Sequence, residues 1–424
     1  MNRITGWKLP DPFLKEDGSR IETIHEWDAQ RAYLKDILAK NFYGEMPPAP
    51  GQITSEKTFE KALWDGTAIF EVQTLTFGPE DKVSMRTAII RSAQADGPQI
   101  PVVLCGGYVA EDIARMAVER GFMIATPLCD DAAPDEPGYQ KGSLYQAYPE
   151  YGFKVIAMWG WLMSRVIDYL ETVDYADTTK VIAAGHSRFG KAALACSVYD
   201  ERVAVCAAGG SGCGGIGSLR VGGGRAGEGI GDVETLGGMI TGYFPHWFID
   251  SLVPYGTKEA SDHYRENELP FDANFIGAAI APRPLILVEG MDDTWANPYG
   301  TYASWSASAE VYHFLGADDK CAIHFREGGH DLNMEDWQTF LDFALVQLNG
   351  AEKHSTYKVR VAEEPPVARD WKAPGLEGPS PKNAGFTPEQ KAAFREKLNQ
   401  KWAFTEAGLE TGIDRMIKMF LDME

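Results

Sequence analysis

Val181-Ile182-Ala183-Ala184-Gly185-His186-Ser187-Arg188-Phe189-Gly190-Lys191-Ala192-Ala193-Leu194 is the stretch on which the reading of the fold turns. A short apolar run, suited to a buried strand, stops at a glycine, and His-Ser-Arg follows. The small, apolar residues from Ala192 to Val198 then suit a helix. Strand, sharp turn bearing a serine, helix is the arrangement called a nucleophile elbow. Only small neighbours fit such a turn, and the helix aims its first N–H groups at the place where an oxyanion forms. The usual spacing is Gly-x-Ser-x-Gly; here the second glycine, Gly190, comes one residue late. A strand–helix turn with a capping serine would present the same letters. The assignment therefore leans on what surrounds the stretch.

Upstream, Ile100 to Cys105 reads as a buried strand and Gly106-Gly107 as the loop that would face the oxyanion. Ala110 to Arg120 reads as a helix, Phe122 to Thr126 as a strand, and Lys154 to Val173 as a strong amphipathic helix. Downstream, strands are expected at 202–208, 284–288 and 322–326, and a closing helix at 334–348. Strands alternating with helices predict an α/β fold: a mostly parallel sheet between two helical layers. Residues 53 to 92 alternate in β-like runs and predict an antiparallel entry to that sheet. Before them come an extended arm over 1–25 and a helix from Glu26 to Asn41. Gly209 to Gly229 holds eleven glycines in 21 residues, too many for a regular element, and reads as a loop above the sheet's carboxyl edge. The catalytic domain is thus expected to span 1–350. A polar, proline-rich extension over 351–424 is expected to carry two helices, Pro388 to Gln400 and Leu409 to Met423, packed on or near it.

Bulk properties narrow the partners. The chain has 424 residues and a formal net charge of −21, which disfavours nucleic acid and anionic membranes. Arg188 and Lys191 stand out in that acidic field as cations that could hold an anion. The six cysteines show no metal-type spacing, and neither a metal nor a cofactor is expected. No apolar run reaches the roughly 18 residues a membrane span needs. Met1 to Trp7 lacks the apolar core of a leader, so the expected compartment is the cytoplasm, or the periplasm or exterior if a leader has been removed. The oligomeric state is left open.

A serine hydroxyl needs a base, and the base needs an orienting acid; in this fold they follow in the order Ser, acid, His. The base candidate is His330, in Glu327-Gly328-Gly329-His330-Asp331 just after the strand 322–326. The acid candidate is Asp293, with Asp292 in reserve, at the end of the strand 284–288. Arg188 would place a guanidinium beside the oxyanion, and Trp295 offers a flat face for a sugar ring.

Several of these segments, taken together, resemble the glucuronoyl esterases, carbohydrate esterase family 15 of the α/β-hydrolases, in their bacterial form. They are Gly185 to Lys191, Leu9 to Phe13, Phe244-Pro245-His246-Trp247-Phe248, Asp293 to Gly300 and Gly329-His330. The resemblance implies a serine esterase that cleaves (4-O-methyl-)glucuronate esters such as those joining glucuronoxylan to lignin. It implies Ser187, His330 and Asp293 as the triad and Arg188 at the oxyanion. It also implies Lys191, Trp295, Trp247 and Glu228 as substrate contacts. One departure stands out: many members carry a catalytic glutamate in a Glu-Ser-Gly where this chain has Gly210-Ser211-Gly212. A general carboxylesterase, a carbohydrate deacetylase and an inactive acidic-sugar-binding homologue are the competing readings.

Overall fold

The protein is described by a computed structural model covering residues 9–94, 97, 99–220, 233–257, 265–351 and 412–421. Among the described residues, nine strands form one sheet: β1 (Ile53–Leu63), β2 (Ala68–Phe77), β3 (Val83–Ser92), β4 (Ile100–Cys105), β5 (Met123–Pro127), β6 (Ala176–His186), β7 (Val203–Gly209), β8 (Leu285–Gly290) and β9 (Cys321–Arg326). Their order is β1-β2-β3-β5-β4-β6-β7-β8-β9. The first three strands meander antiparallel, β3 pairs antiparallel with β5, and from β5 to β9 all pairing is parallel.

Successive side chains of the central strands are apolar because both faces are covered. On β4, Val102 and Leu104 enter one core, while Val103 and Cys105 enter the other. The first core is closed by α1 (Trp27–Leu38), α3 (Val155–Leu170), α4 (Arg188–Tyr199), α5 (Asn274–Ile280) and α6 (Pro298–Phe314). The second is closed by α2 (Glu111–Glu119), α7 (Met334–Asn349) and α8 (Gly412–Leu421). The result is the three-layer α/β-hydrolase architecture.

At the antiparallel end, Phe420 of α8 packs on Phe70 of β2 with ring centroids 4.9 Å apart, and Asp414 bonds Arg86 at 3.0 Å. The expected helix at 388–400 lies outside the described residues. The described part of the amino-terminal arm is pinned at Phe13, which is buried and meets Phe314 edge-on at 5.2 Å.

One element goes beyond the expectation: helix α6, which Asn297 caps, its side chain accepting the Gly300 N–H at 2.9 Å, with Pro298 following as a helix starter. The glycine-rich loop is packed over its described part. Residues 210 to 220 are all buried, and the Ser211 hydroxyl accepts the Ile216 N–H at 3.0 Å.

Candidate active site

The chain leaves β6 and enters α4 through Ser187, which has φ 54° and ψ −124°. A non-glycine residue held there stores about 1–3 kcal/mol of strain. The Ser187 N–H donates to Gly209 O at 2.9 Å, which fixes the turn against the neighbouring strand. Gly185 is required by crowding: a Cβ there would fall 2.3 Å from Phe189 O. Phe189 packs over the backbone of Gly106 and Gly107 and stacks on Trp159, centroids 5.0 Å apart, so elbow and oxyanion loop move as one body.

His330, on the loop after β9, places Nε2 3.0 Å from Ser187 Oγ. Its Nδ1 lies 2.6 Å from Asp293 Oδ2. Asp293 is buried, and its other oxygen accepts the Ala296 N–H at 3.0 Å. The structure therefore brings Ser187, His330 and Asp293 together in one relay. Asp292 is exposed and instead accepts the Gly328 N–H at 3.3 Å, bracing the histidine's loop. A neutral imidazole in this setting can take the serine's proton, and the carboxylate then stabilises the imidazolium.

His186 faces His330 with ring centroids 4.5 Å apart. Burial, then the nearby His330 and Arg326, hold His186 far below the ordinary histidine value, so no second cation forms beside the base. Glu289, buried on β8, is pushed well above the usual carboxylate range by burial and by the Asp293 charge. It adds no negative charge behind the triad.

Gly210 has φ +49°, and a Cβ there would lie 2.8 Å from His186 Nε2 and 3.4 Å from Asp293 Oδ2. A side chain at 210 would meet a left-handed backbone and would have to displace the His186 ring.

The two cations next to the serine are both neutralised, contrary to the expectation of a net positive site. Arg188 forms an ion pair with Asp135, from the loop after β5. Lys191 is buried rather than open to a ligand: its ammonium donates to Glu234 Oε2 at 2.7 Å and to Ser211 O at 2.6 Å. It lies 5.4 Å from the Trp247 ring centroid. Trp247 is buried and stacked on Phe244, centroids 3.7 Å apart and planes 2° apart. Trp295 is half-buried and meets Tyr243 at 6.2 Å. Glu228 lies outside the described residues; the glutamate that the structure sets beside Lys191 is Glu234.

Three residues that matter here were missed in the sequence: Glu234, Asp135 and Arg326. Arg326 splints the histidine's loop, donating to Asp336 Oδ2 at 2.7 Å, to Glu327 O at 2.9 Å and to Asp331 O at 2.6 Å. A charged residue closing an apolar strand was the only signal available for Arg326. Glu234 and Asp135 gave none.

The family model described as glucuronyl esterase, fungi, matches residues 78–316, more than half of the chain. A 4-O-methyl-glucuronoyl methylesterase of Wolfiporia cocos is 30% identical over 323 residues, covering 74% of this chain and 73% of that protein. A carbohydrate esterase from an unknown prokaryotic organism is 28% identical over 415 residues, covering 82% and 91%. Among solved structures, a carbohydrate esterase family 15 glucuronoyl esterase from Caldicellulosiruptor kristjansonii superposes with a TM-score of 0.70 at 28% identity, covering 87% of this chain and 97% of that one. With the serine, imidazole and carboxylate in line on a hydrolase sheet, the match is to chemistry as well as to shape: this chain belongs to the glucuronoyl esterase family, carbohydrate esterase family 15.

Proposed function

We propose that this chain hydrolyses carboxylic esters of glucuronic acid, the 4-O-methyl form included, through a serine acyl-enzyme. The observation that carries the reading is the Ser187–His330–Asp293 relay in a member of this family. Ser187 Oγ bonds to the ester carbonyl carbon as His330 Nε2 takes its proton. The oxyanion is held by Arg188 and by backbone N–H groups near Gly107 and Arg188. The C–O bond to the alcohol breaks, the alcohol leaves with the proton from His330, and water repeats the sequence to release the uronate.

The charge balance suits that substrate. A uronate ester has its carboxylate masked, so the ground state brings no negative charge. A guanidinium already paired with Asp135 offers directed donors without a net positive site that would retain the anionic product. Trp295, half-buried, is the aromatic face offered to the sugar, and Trp247 is buried as packing.

The test compares kcat/KM for benzyl glucuronate with that for 4-nitrophenyl acetate. A clear preference for the glucuronate ester is expected. Equal or better turnover of the acetate, with poor turnover of the glucuronate, would replace this reading by that of a general esterase.

A further inference from the structure

Asp135 touches neither Ser187 nor His330, yet it gathers the parts that flank them. One of its oxygens accepts the Trp247 indole N–H at 2.6 Å and lies 2.9 Å from His246 Nε2. The other accepts from the Arg188 guanidinium. Its own backbone N–H donates to Asp130 Oδ1 at 3.0 Å, which fixes the loop that carries it. Burial alone would raise this carboxyl, but the Arg188 charge and the bonds from His246 and Trp247 outweigh it and hold it at about 2. Asp135 is therefore a permanent anion.

Arg188 is also held against two aromatic rings. Its guanidinium carbon lies 5.3 Å from the Trp247 ring centroid and 5.6 Å from that of Phe244, so it rests against the stacked pair. An arginine side chain loses rotamer freedom when it is fixed, and a donor for an oxyanion helps most when that cost is met before the reaction. An ion pair to a buried carboxylate does this, and here the same carboxylate also sets the plane of Trp247.

We propose that Asp135 is a positioning residue for the esterase reaction: it locks Arg188 and the Trp247 indole into one unit beside Ser187, so that the guanidinium is pre-aimed at the oxyanion. The proposal rests on the oxyanion role given to Arg188 above, but not on the identity of the sugar.

The experiment is a double-mutant cycle on kcat with 4-nitrophenyl acetate, repeated with benzyl glucuronate, using Asp135→Asn, Arg188→Ala and the pair. In the wild-type background Asp135→Asn should lower kcat by about tenfold or more on both esters, because its amide presents N–H groups to the guanidinium. In the Arg188→Ala background the same change should cost less than about threefold, since the residue it acts through is gone. Equal losses in both backgrounds, or no loss in either, would overturn the proposal. A residue with a merely structural role would lower the melting temperature and leave the cycle additive. If Asp135→Asn does not fold, Asp135→Glu, which keeps the charge and displaces it by one methylene, runs the same cycle with the same two outcomes. Should the uronate reading fail, the wild-type protein will be poor on benzyl glucuronate while the acetate cycle still decides the role of Asp135.

Discussion

Replacing Asp293 by asparagine exchanges one carboxylate oxygen for an NH2 group at the centre of the relay, and the structure dictates how the amide must sit. The Ala296 N–H donates to Asp293 Oδ1 at 3.0 Å in a buried setting, so the asparagine must keep its carbonyl oxygen there or leave a buried donor unpaired. Its NH2 then faces His330 Nδ1, where a carboxylate oxygen stood at 2.6 Å. An N–H facing Nδ1 makes that nitrogen an acceptor and places the ring proton on Nε2, toward Ser187. In that tautomer the imidazole cannot take the serine's proton. The corresponding change in the best-studied triad costs about 10⁴ in kcat, or about 5.5 kcal/mol of barrier. Both ring nitrogens of His330 are engaged, by Asp293 and Ser187, and burial pushes the Glu289 carboxyl well above the usual range, so among the described residues Asp293 is the carboxylate that orients the ring. The assay is kcat on 4-nitrophenyl acetate and benzyl glucuronate, with melting curves to show that the variant is folded. A loss near 10⁴ is expected. Asp292→Asn, which alters only an exposed 3.3 Å contact, should stay within a few-fold of wild type. A folded Asp293→Asn variant that retained a tenth of its turnover would refute the reasoning.

Further outcomes follow from the buried charges and the crowded glycine. Lys191→Met should lower unfolding free energy by about 3–5 kcal/mol, because it strands Glu234 in the interior, and a Lys191→Met/Glu234→Gln pair should recover part of that loss in denaturant titrations. Unchanged stability in the single variant would contradict the buried pair. Asp135 has a folded value of about 2 against an ordinary 3.8, so it stabilises above pH 3.8 and loses that contribution as pH falls toward 2. The stability gap between wild type and Asp135→Asn should accordingly reach about 2 kcal/mol at pH 6, stand at about half of that at pH 3 and close as pH falls through about 2. A gap that does not depend on pH would contradict the ion pair. Gly210→Glu should lower stability by about 1–3 kcal/mol and fail to rescue Asp293→Asn, given its left-handed backbone and the 2.8 Å approach to His186. Restored turnover would show that the pocket yields.

What the sequence revealed of the site was its local part. Ser187 is legible because an elbow is a short-range event: strand, small residues, serine, helix. Asp293 and His330 are legible because their strands end in the fold's order, although only the structure separates Asp293 from Asp292, through burial. The cations were read half correctly. Arg188 and Lys191 are where the helix puts them, but Asp135 and Glu234, which neutralise them, arrive from distant loops that carry no periodicity. Helix α6 escaped because it is buried around most of its circumference, so it has no polar face to mark its period. Its start, Asn297-Pro298, was readable all the same. The sheet was legible from its apolar runs, and its edge strand β1 less so, because its mostly exposed side chains leave only a faint alternation.

The central claim is that ester cleavage passes through Ser187, activated by His330. A fluorophosphonate that reacts only with activated serines tests it in one measurement, read by peptide mapping of the wild-type protein alongside the His330→Ala variant. The account predicts a single label on Ser187 in the wild type and labelling slowed by orders of magnitude without the imidazole. A label on any other residue, or a Ser187 that reacts equally fast without His330, would contradict it.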